Sequence, residues 1–367
     1  NYRKNPPKVT KALEAYLSGL NAFVAAGTTP LEFTLLGIPK REYRIEDLVS
    51  ISAYMSYTFS NAVLQDPLIS HIQKNLGSSY LKDLALNWPE GDTQIKVSKQ
   101  HNDTDLELAT FFAEMENVLS RIPPFFGSNS WVISGSHSKS GKVILANDPH
   151  IGFAAPSTWY EAHMKTPDWE LYGHHLAGIP FAILGHNRRM AWGVTMLQND
   201  DLDYFRERTN PANPDQVWFR DHWEDLKIIE EIISVKGSED RPLRVRISRH
   251  GPIINDVLES FEKIESQPVA LAWEMLSNFE NSTEQVFYEL GHSESLEDSR
   301  AAASRLHAPG LNINYGDAEG NIAWWAAARL AIRPAHVNSF IILDGASGKD
   351  EVLGYRDFSE NPQSENP

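Results

Sequence analysis

The stretch PFFGSNSWVISG, residues 124–135, separates two parts of the chain that differ in pattern. A helical pattern stops at the Pro123-Pro124 pair, because proline lacks the amide hydrogen that a helix interior needs. Beyond it, Trp131–Ile133 and Val143–Leu145 flank a turn of Ser, Lys and Gly, which predicts a β-hairpin. The Gly127–Ser128 bond therefore lies where a helical part gives way to a β-rich part, and such a boundary can be presented to solvent.

Upstream of this boundary the chain is predicted to be mainly helical. Apolar residues recur at three- and four-residue steps over Val9–Ala26, a second helix is predicted over Ile45–Leu64, and Leu106–Ile122 repeats the pattern. The intervening Asn87–Asp105 mixes Pro, Gly, Asp, Asn and Gln with few periodic apolar residues, which indicates an exposed loop or linker. We expect that processing of the chain can occur there.

Downstream of the boundary, short β-like runs precede helical patterns. Strands followed by helices favour an α+β arrangement over a repeated βαβ unit. The β-like runs are Ile228–Val235, Leu243–Ile247 and Val269–Trp273, the helical patterns are Thr283–Leu290 and Leu296–Leu306, and a last strand is expected around Ile313.

Composition excludes several classes of protein. The length of 367 residues suggests two domains or one large multilayer domain. A formal net charge of −16 repels phosphate backbones and anionic lipid, and no apolar run reaches the roughly 18 residues of a membrane span, so we expect neither nucleic acid nor membrane as a partner. The absence of cysteine excludes disulfides, thiolate metal sites and cysteine nucleophiles, and it leaves the compartment open. We also expect the chain to be part of a longer one.

The boundary serine can be given a complete catalytic chemistry. A serine hydroxyl is a poor nucleophile at neutral pH and needs a base within hydrogen-bond reach. Cleavage of the Gly127–Ser128 bond would create a free α-amine, whose ordinary pKa of about 7.7 to 8.0 suits a general base. In the uncut chain the same nitrogen is a non-basic amide. Because an arbitrary Gly-Ser pair is usually a simple turn, this assignment depends on the residues that follow.

Several ordered sequence blocks surround this serine. They are Gly-Ser-Asn-x-Trp-Val at Gly127–Val132, Asn-Asp-Pro-His at Asn147–His150, and then Ala155–Glu161, Gly185–Asn187, Ala191–Gly193, Asp200–Asp203 and Asn312–Ile322. Together these blocks resemble the penicillin amidase family of N-terminal-nucleophile hydrolases over most of the chain. Upstream, Leu31–Gly37 resembles a segment of the family's shorter α subunit.

The resemblance implies a fold and a way of maturing. The fold would be an α+β, four-layer αββα sandwich with a mainly helical N-terminal segment. The chain would be a stretch of an uncleaved precursor, in which residues 1–86 form the helical part of the α subunit. Residues 87–127 would be a linker or spacer that is removed or cleaved, and residues 128–367 the β-subunit nucleophile-hydrolase domain. The α and β fragments would remain together as a heterodimer, in the periplasm or outside the cell.

The resemblance also implies an activity, hydrolysis of the linear amide of a small N-acyl substrate, as in penicillin acylases and N-acyl-homoserine-lactone acylases. Ser128 would be the nucleophile, released by autoproteolysis at the bond to Gly127. His150 occupies a position that the family fills with His or Gln near the nucleophile, where it would orient or hydrogen-bond the amine. The acyl group and the leaving amine stay open.

An oxyanion hole needs two donors, and the resemblance supplies two. They are the backbone N–H of Met196 and the side-chain amide of Asn312, with Asn314 as an alternative two residues further on. Arg333 would help to hold the asparagine or the amine, and a surface arginine without a catalytic task is the alternative.

Aliphatic side chains align with the positions that line the family's acyl pocket. They are Ile151, Leu184 and Val194, which stand where members specific for phenylacetyl groups use more aromatic side chains. The resemblance therefore favours a flexible or aliphatic acyl group, and ordinary core packing is the alternative.

The acidic run Asp200–Asp203 supplies hard oxygen ligands, which suit Ca²⁺. By resemblance the ligands would be Asp200, the Leu202 carbonyl and Asp203, in a structural site remote from the nucleophile. Where some members supply a Glu, this chain has Gln65, a weaker ligand. No organic cofactor is implied.

Three other functions fit parts of the sequence. Ser136–Lys139 matches the Ser-x-x-Lys spacing of β-lactamase-type enzymes, but the spacing recurs at Ser79–Lys82 and the partner motifs Ser-Asp-Asn and Lys-Thr-Gly are missing. A histidine-based metal hydrolase is suggested only by His174-His175, because there is no His-Glu-x-x-His. A processed binding or assembly protein with the same fold is the non-enzymatic alternative.

Overall fold

The structure is a computed structural model that describes residues 4–60, 62–77, 79–83, 125–258, 261, 265–277 and 283–367. The predicted helix over Leu106–Ile122 and the predicted linker over Asn87–Asp105 lie outside these residues. Among the described helices, none is long and apolar enough to cross a membrane.

Helices form the N-terminal part of the described chain and most of Glu274–Ala303, and strands occupy most of the rest. The helices are α1 (Pro7–Ala26), α2 (Leu31–Leu36), α3 (Ile45–Phe59), α4 (Ala62–Leu76), α5 (Ser79–Asp83), α6 (Glu274–Ser277), α7 (Thr283–His292) and α8 (Leu296–Ala303). The strands are β1 (Phe125–Ile133), β2 (Ile144–Ile151), β3 (Trp159–Lys165), β4 (Glu170–Leu176), β5 (Leu184–Asn187), β6 (Met190–Met196), β7 (Leu202–Arg206), β8 (Thr209–Asn210), β9 (Asn213–Phe219), β10 (His222–Asp225), β11 (Lys227–Ile233), β12 (Arg241–Ile247), β13 (Val269–Trp273), β14 (Leu311–Asp317), β15 (Ile322–Ala327), β16 (Ala331–Ile332), β17 (Leu343–Asp344), β18 (Gly354–Tyr355) and β19 (Gln363–Glu365).

A seven-stranded antiparallel sheet forms the centre, in the order β19-β15-β14-β6-β5-β4-β3. The hairpin β1-β2 is a separate two-stranded sheet that lies against β6, β14 and β15. Helices α1, α7 and α8 contribute to the main core together with the central strands. The α+β class is thus confirmed, and the described residues form three layers: helices, the seven-stranded sheet and the hairpin.

The two faces of the central strands carry different residues, because neighbouring side chains on a strand point to opposite faces. Trp192, Tyr315 and Trp325 are at most 1% exposed and belong to the main core. On the hairpin side are Gly193 and Gly316. A Cβ at Gly316 would lie 2.6 Å from a side-chain atom of Val143, so glycine allows the hairpin to lie close to the sheet.

One predicted helix is two helices in the structure. The segment Ile45–Leu64 breaks after Phe59, so the prediction of a single helix was wrong. Ser60 leaves the helical conformation with φ −81° and ψ 83°, and its hydroxyl donates to the Ser56 carbonyl four residues earlier. Serine makes such local bonds readily, which favours helix ends.

Helix α4 contains a proline whose effect is compensated by a neighbouring strand. Pro67 has no N–H, so it leaves the carbonyl of Val63 without its helical partner. The hydroxyl of Tyr204 on β7 donates to that carbonyl at 3.2 Å. This bond joins α4 to the sheet β13-β7-β17, where Val63 and Tyr204 belong to a second core cluster.

Most other expectations for the β-rich part are confirmed. The hairpin pairs Ile133 with Ile144 and continues to Phe125 opposite Ile151. Strands β11, β12, β13 and β14 and helices α7 and α8 lie at the predicted places, with ends shifted by a few residues. The strands from β3 to β10 were not predicted as strands.

Candidate active site

The strand that carries Ser128 is irregular just before the serine. Between Phe125 and Gly127 the pairing with β2 shifts, so β1 has one extra residue there. Gly127 has a φ of +147°, in a region that side chains other than glycine's avoid. The Gly127–Ser128 bond therefore follows a β-bulge, a feature common beside active sites.

The edge of β6 next to β5 becomes free where Ser128 approaches it. Strand β5 pairs with β6 only through Gly185 opposite Trp192 and His186 opposite Ala191. In an antiparallel sheet the hydrogen bonds of successive residues alternate between the two edges of a strand. The N–H groups of Val194 and Met196 therefore point to the same edge of β6 as the N–H of Trp192, but they lie past the point where β5 stops pairing. The hydroxyl oxygen of Ser128 lies 3.4 Å from the Met196 nitrogen and accepts its hydrogen bond.

The neighbouring free groups on this edge are taken by a side chain. The Oδ1 of Asn147 on β2 accepts from the Val194 N–H at 2.8 Å, and its Nδ2 donates to the Val194 carbonyl at 3.0 Å. The same Nδ2 donates to the carbonyl of Asn129 on β1 at 3.0 Å. One amide thus joins the hairpin to the central sheet beside Ser128. Asn147 belongs to the sequence block Asn147–His150, which by itself predicted no role for it.

Asn312 lies on β14 directly opposite Thr195 of β6, one residue from Met196. Its Nδ2 donates to the Thr195 hydroxyl and to the Met196 carbonyl, both at 3.1 Å. Its Oδ1 accepts from the indole N–H of Trp324 at 3.0 Å, which fixes the orientation of the amide. Both donors are engaged in the uncut chain, so the amide must release one acceptor before it can bind another oxygen.

His150 lies opposite Gly127, on the other side of the predicted scissile bond from the Ser128 hydroxyl. Its Nε2 is 2.8 Å from Asp148 Oδ2 and 3.2 Å from Asn129 Nδ2. The imidazole is therefore held by its own hairpin, beside Gly127.

A cavity of about 320 Å³ opens beside the serine. Met196, which donates to Ser128, and Pro149, which pairs opposite Ser128, both line it. The three aliphatic residues predicted for the acyl pocket also line it: Ile151, Leu184 and Val194. The opposite wall is formed by α3, whose contribution the sequence reasoning did not identify, through Ile51, Tyr54, Met55, Thr58 and Phe59.

Helix α3 is held against the rest of the protein by a buried polar contact. The hydroxyl of Ser52 donates to Glu284 Oε1 on α7 at 2.6 Å, and both residues are at most 4% exposed. A Cβ at Gly178 would lie 2.2 Å from the side chain of Ile51, so the loop after β4 also fits closely to this helix. These contacts hold α3 in place beside the cavity that it lines.

A model of the penicillin amidase family matches residues 1–367. The chain belongs to this family.

Two relatives are similar to this chain over nearly its whole length. The acyl-homoserine lactone acylase QuiP of Pseudomonas aeruginosa is 24% identical over 383 residues, covering 100% of this chain and 45% of the relative. The penicillin acylase 2 proenzyme of Pseudomonas sp. strain SE83 is 23% identical, covering 97% of this chain and 46% of the relative. The chain therefore spans about half the length of these relatives.

A solved structure supports the fold. The thermostable penicillin G acylase from Alcaligenes faecalis in its orthorhombic form matches with a TM-score of 0.58 and 24% sequence identity, over 65% of this chain and 42% of that chain. At this level of identity the likeness concerns the fold alone.

The predicted acidic site contains an arginine. Arg333 was predicted near Asn312, but its Nη2 donates to the Asp200 carbonyl at 2.9 Å and to Asp203 Oδ2 at 2.8 Å. Its Nη1 lies 3.5 Å from Asp200 Oδ2. Burial raises the pKa of Asp203 to about 6, although Arg333 opposes this shift. The opposite charge of Asp203 and Asp200 holds the guanidinium there and raises the pKa of Arg333 against the effect of burial.

A further carboxylate joins this cluster. Asp66 on α4 is 0% exposed, and neither of its oxygens has a hydrogen-bond partner among the described residues. Burial, together with Asp200 and Asp203, raises its pKa well above the usual value. Gln65, which the resemblance puts where some members have a Glu, lines the same cavity as Asp66 and Asp200. Within the described residues, no three acidic or histidine side chains are arranged to hold one metal ion.

Proposed function

We propose that the protein is an amide hydrolase whose nucleophile is Ser128, made N-terminal by autoproteolysis at the Gly127–Ser128 bond. The observation that carries the proposal is the 3.4 Å contact between the Ser128 hydroxyl and the Met196 N–H at the free edge of β6. A nucleophile that works with an oxyanion hole needs a backbone donor nearby that the sheet does not already use. The Met196 N–H is such a donor, because β5 no longer pairs with β6 at that height. The domain division at 1–86, 87–127 and 128–367 and the four-layer sandwich belong to this proposal.

Maturation comes first. The Ser128 hydroxyl attacks the carbonyl carbon of Gly127, the C–N bond breaks, and water then hydrolyses the resulting ester. The products are a carboxylate at Gly127 and a free amine at Ser128. The bulge and the positive φ of Gly127 favour this step, because they bend the chain at the bond that breaks.

Turnover uses the amine that maturation creates. The α-amine of Ser128 takes the proton of its hydroxyl as the oxygen attacks the substrate's amide carbonyl. The negative charge that develops on the carbonyl oxygen is bound by the Met196 N–H and by Asn312, once Asn312 releases Thr195 or the Met196 carbonyl. The amine then leaves with a proton, and water hydrolyses the acyl ester of Ser128. His150 would hydrogen-bond near the amine.

The substrate would be a small N-acyl amide. The cavity beside Ser128 is walled by Ile151, Leu184, Val194 and apolar residues of α3, which suits an aliphatic acyl chain. The named relatives are acylases of acyl-homoserine lactones and penicillins. An N-acyl amide of this kind is the substrate class that we assign, processed by α and β fragments in an exported heterodimer.

One structural Ca²⁺ at the acidic cluster is also part of the proposal. The charge fits, because Asp66, Asp200 and Asp203 together face a single guanidinium and three of their oxygens lack partners among the described residues. Carboxylates and the Leu202 carbonyl are the oxygen ligands that Ca²⁺ prefers. Binding requires these side chains to rearrange. A rise in melting temperature with Ca²⁺, lost in Asp66→Asn, would support the ion; an unchanged wild-type melting temperature would exclude it.

Two serines on the same strand give the direct test of the activity. In the full-length precursor, Ser128→Ala should abolish both cleavage and hydrolysis of a chromogenic acyl amide. Ser130→Ala should retain both, because among the described residues the Ser130 hydroxyl donates to the Ala146 carbonyl of the hairpin and to no other group. A wild-type protein that is cleaved but does not turn over acyl amides would support the alternative, a processed binding or assembly protein.

A further inference from the structure

At the free edge of β6, the N–H and carbonyl of Val194 find no backbone partner among the described residues. The Leu197 N–H donates to the Gly310 carbonyl, so Leu197 faces the β14 side. Because successive residues face alternate edges of a strand, Val194, three residues earlier, directs its N–H and carbonyl away from β14. Strand β5 no longer pairs at that height. Buried or half-buried backbone groups need partners, and these two must find them outside the sheet.

Asn147 supplies both partners and a third bond. Its Oδ1 and Nδ2 bind the N–H and the carbonyl of Val194 at 2.8 and 3.0 Å, as a neighbouring strand would. Its Nδ2 also binds the Asn129 carbonyl at 3.0 Å. Val194 is two residues from Met196, and Asn129 is next to Ser128. The amide therefore connects the two backbone segments that must be aligned for the Ser128 hydroxyl to meet the Met196 N–H.

The strand opposite Asn147 is shaped to receive it. A Cβ at Gly193 would lie 2.9 Å from both the Cβ and the Oδ1 of Asn147. Any side chain at Gly193 would push the amide away from Val194. The hydrogen bond between Met196 and Ser128 depends on this amide and would be lost on a small displacement, because the 3.4 Å between the Ser128 oxygen and the Met196 nitrogen is already long.

We infer that Asn147 is a positioning residue, which fixes the distance between the Ser128 hydroxyl and the Met196 donor by clamping the hairpin to the free edge of β6. The inference rests on the proposed function for its kinetic consequence but not for its structural one. Asn147 does not touch the reacting atoms; it acts through the two backbones that carry them.

The kinetic test compares two variants with a matched control. Asn147→Ala removes all three bonds, and Asn147→Asp keeps the acceptor for the Val194 N–H but loses both donations. Small displacements of reacting groups reduce rates by up to about 100-fold. We expect kcat to fall about 10- to 100-fold in Asn147→Ala and less in Asn147→Asp, with KM within about threefold of wild type in both.

Asn255 is the control, because it makes the same set of bonds far from the serine. Its Oδ1 accepts from the Val269 N–H at 2.7 Å, and its Nδ2 donates to the carbonyls of Glu265 and Gln267 at 3.3 and 3.4 Å. Asn255→Ala should lower the melting temperature but leave kcat of the folded protein unchanged. An equal loss of kcat in Asn255→Ala would show a general effect of destabilisation and overturn the inference.

Hydrogen exchange tests the clamp without any substrate. In Asn147→Ala, peptides that cover residues 190–196 should exchange faster than in wild type, and Asn255→Ala should leave them unchanged. Unchanged exchange in Asn147→Ala, or a kcat within threefold of wild type, would overturn the inference. If the wild-type protein hydrolyses no acyl amide, the proposed function fails, while the exchange of residues 190–196 still decides whether Asn147 is a clamp.

Discussion

Asn312→Ala should reduce kcat for a chromogenic acyl amide by roughly 30- to 150-fold, at nearly constant KM. The loss of one oxyanion-hole donor typically costs about 2.7 to 4 kcal/mol of activation energy. In this protein both donors of Asn312 are already bound, to the Thr195 hydroxyl and the Met196 carbonyl at 3.1 Å. Giving up one such bond in the transition state offsets about 1 kcal/mol, which leaves about 2 to 3 kcal/mol and hence that range in rate.

Stability must be separated from catalysis in this variant. Removing the amide leaves the indole N–H of Trp324 without its acceptor, at a cost of about 1 to 3 kcal/mol in the free energy of unfolding. The rate is therefore expressed per correctly matured Ser128, counted by mass spectrometry of the acyl-enzyme. Denaturant unfolding of the same samples gives the stability.

Two neighbouring substitutions sharpen the test. Asn314→Ala, two residues further along β14, should keep kcat within threefold of wild type. Thr195→Val removes a competing acceptor of Asn312, so kcat should be unchanged or higher. A large loss in Asn314→Ala together with a normal Asn312→Ala would show that the oxyanion donor has been assigned to the wrong asparagine.

Three further outcomes follow from the structure. Gly127→Ala should slow self-cleavage about tenfold or more in a time course on gels, because alanine disfavours a φ of +147°; unchanged cleavage would contradict a role for the bulge. Leu184→Phe should fill part of the 320 Å³ cavity and shift the substrate preference to shorter acyl chains. In a series of acyl amides of increasing chain length, each methylene that the variant excludes should cost about 0.8 kcal/mol of binding free energy. An unchanged dependence of kcat/KM on chain length would place the acyl group elsewhere. Burial lowers the pKa of His250, but hydrogen bonds to Glu207 and Glu351 outweigh it and raise this pKa to about 9. The protonated imidazole therefore stabilises the fold by at most about 3 kcal/mol below the unfolded pKa of about 6.5, and this stabilisation is lost as pH rises through 9. In denaturant unfolding, His250→Gln should lack this loss of free energy of unfolding between pH 6 and pH 10, and an equal loss in both proteins would refute the assignment.

The sequence was most informative where a local pattern has one structural solution. Pro123-Pro124, the Gly-containing turn and the apolar runs on either side were enough to predict the hairpin that carries Ser128. The blocks around the serine also predicted residues that the fold brings together, since Ser128, Met196 and Asn312 lie on three strands in contact.

The sequence was least informative where contacts outside the apolar pattern decide. The break between α3 and α4 lies at Ser60, whose hydroxyl donates to the Ser56 carbonyl, so the apolar periodicity of Ile45–Leu64 does not reveal it. Asp66, next to Gln65 on α4, is fully buried near Asp200 and Asp203, and only the packed structure shows that this carboxylate belongs to the acidic cluster.

Arg333 shows a different limit. The resemblance implied a place where it would hold Asn312 or the amine, but a long side chain can reach several targets, and this one binds opposite charge elsewhere. Asp200 and Asp203 supply that charge. The role of Asn147 could not be predicted either, since it depends on where β5 stops pairing with β6.

The central claim is that Ser128 becomes an N-terminal residue. Intact mass and N-terminal sequencing of the purified full-length precursor test this most directly. We predict two fragments, with any further trimming confined to the region before Ser128. One fragment should begin Ser128-Asn129-Ser130-Trp131, and Ser128→Ala should stay uncut. A protein that remains a single uncut chain and still hydrolyses acyl amides would contradict the mechanism.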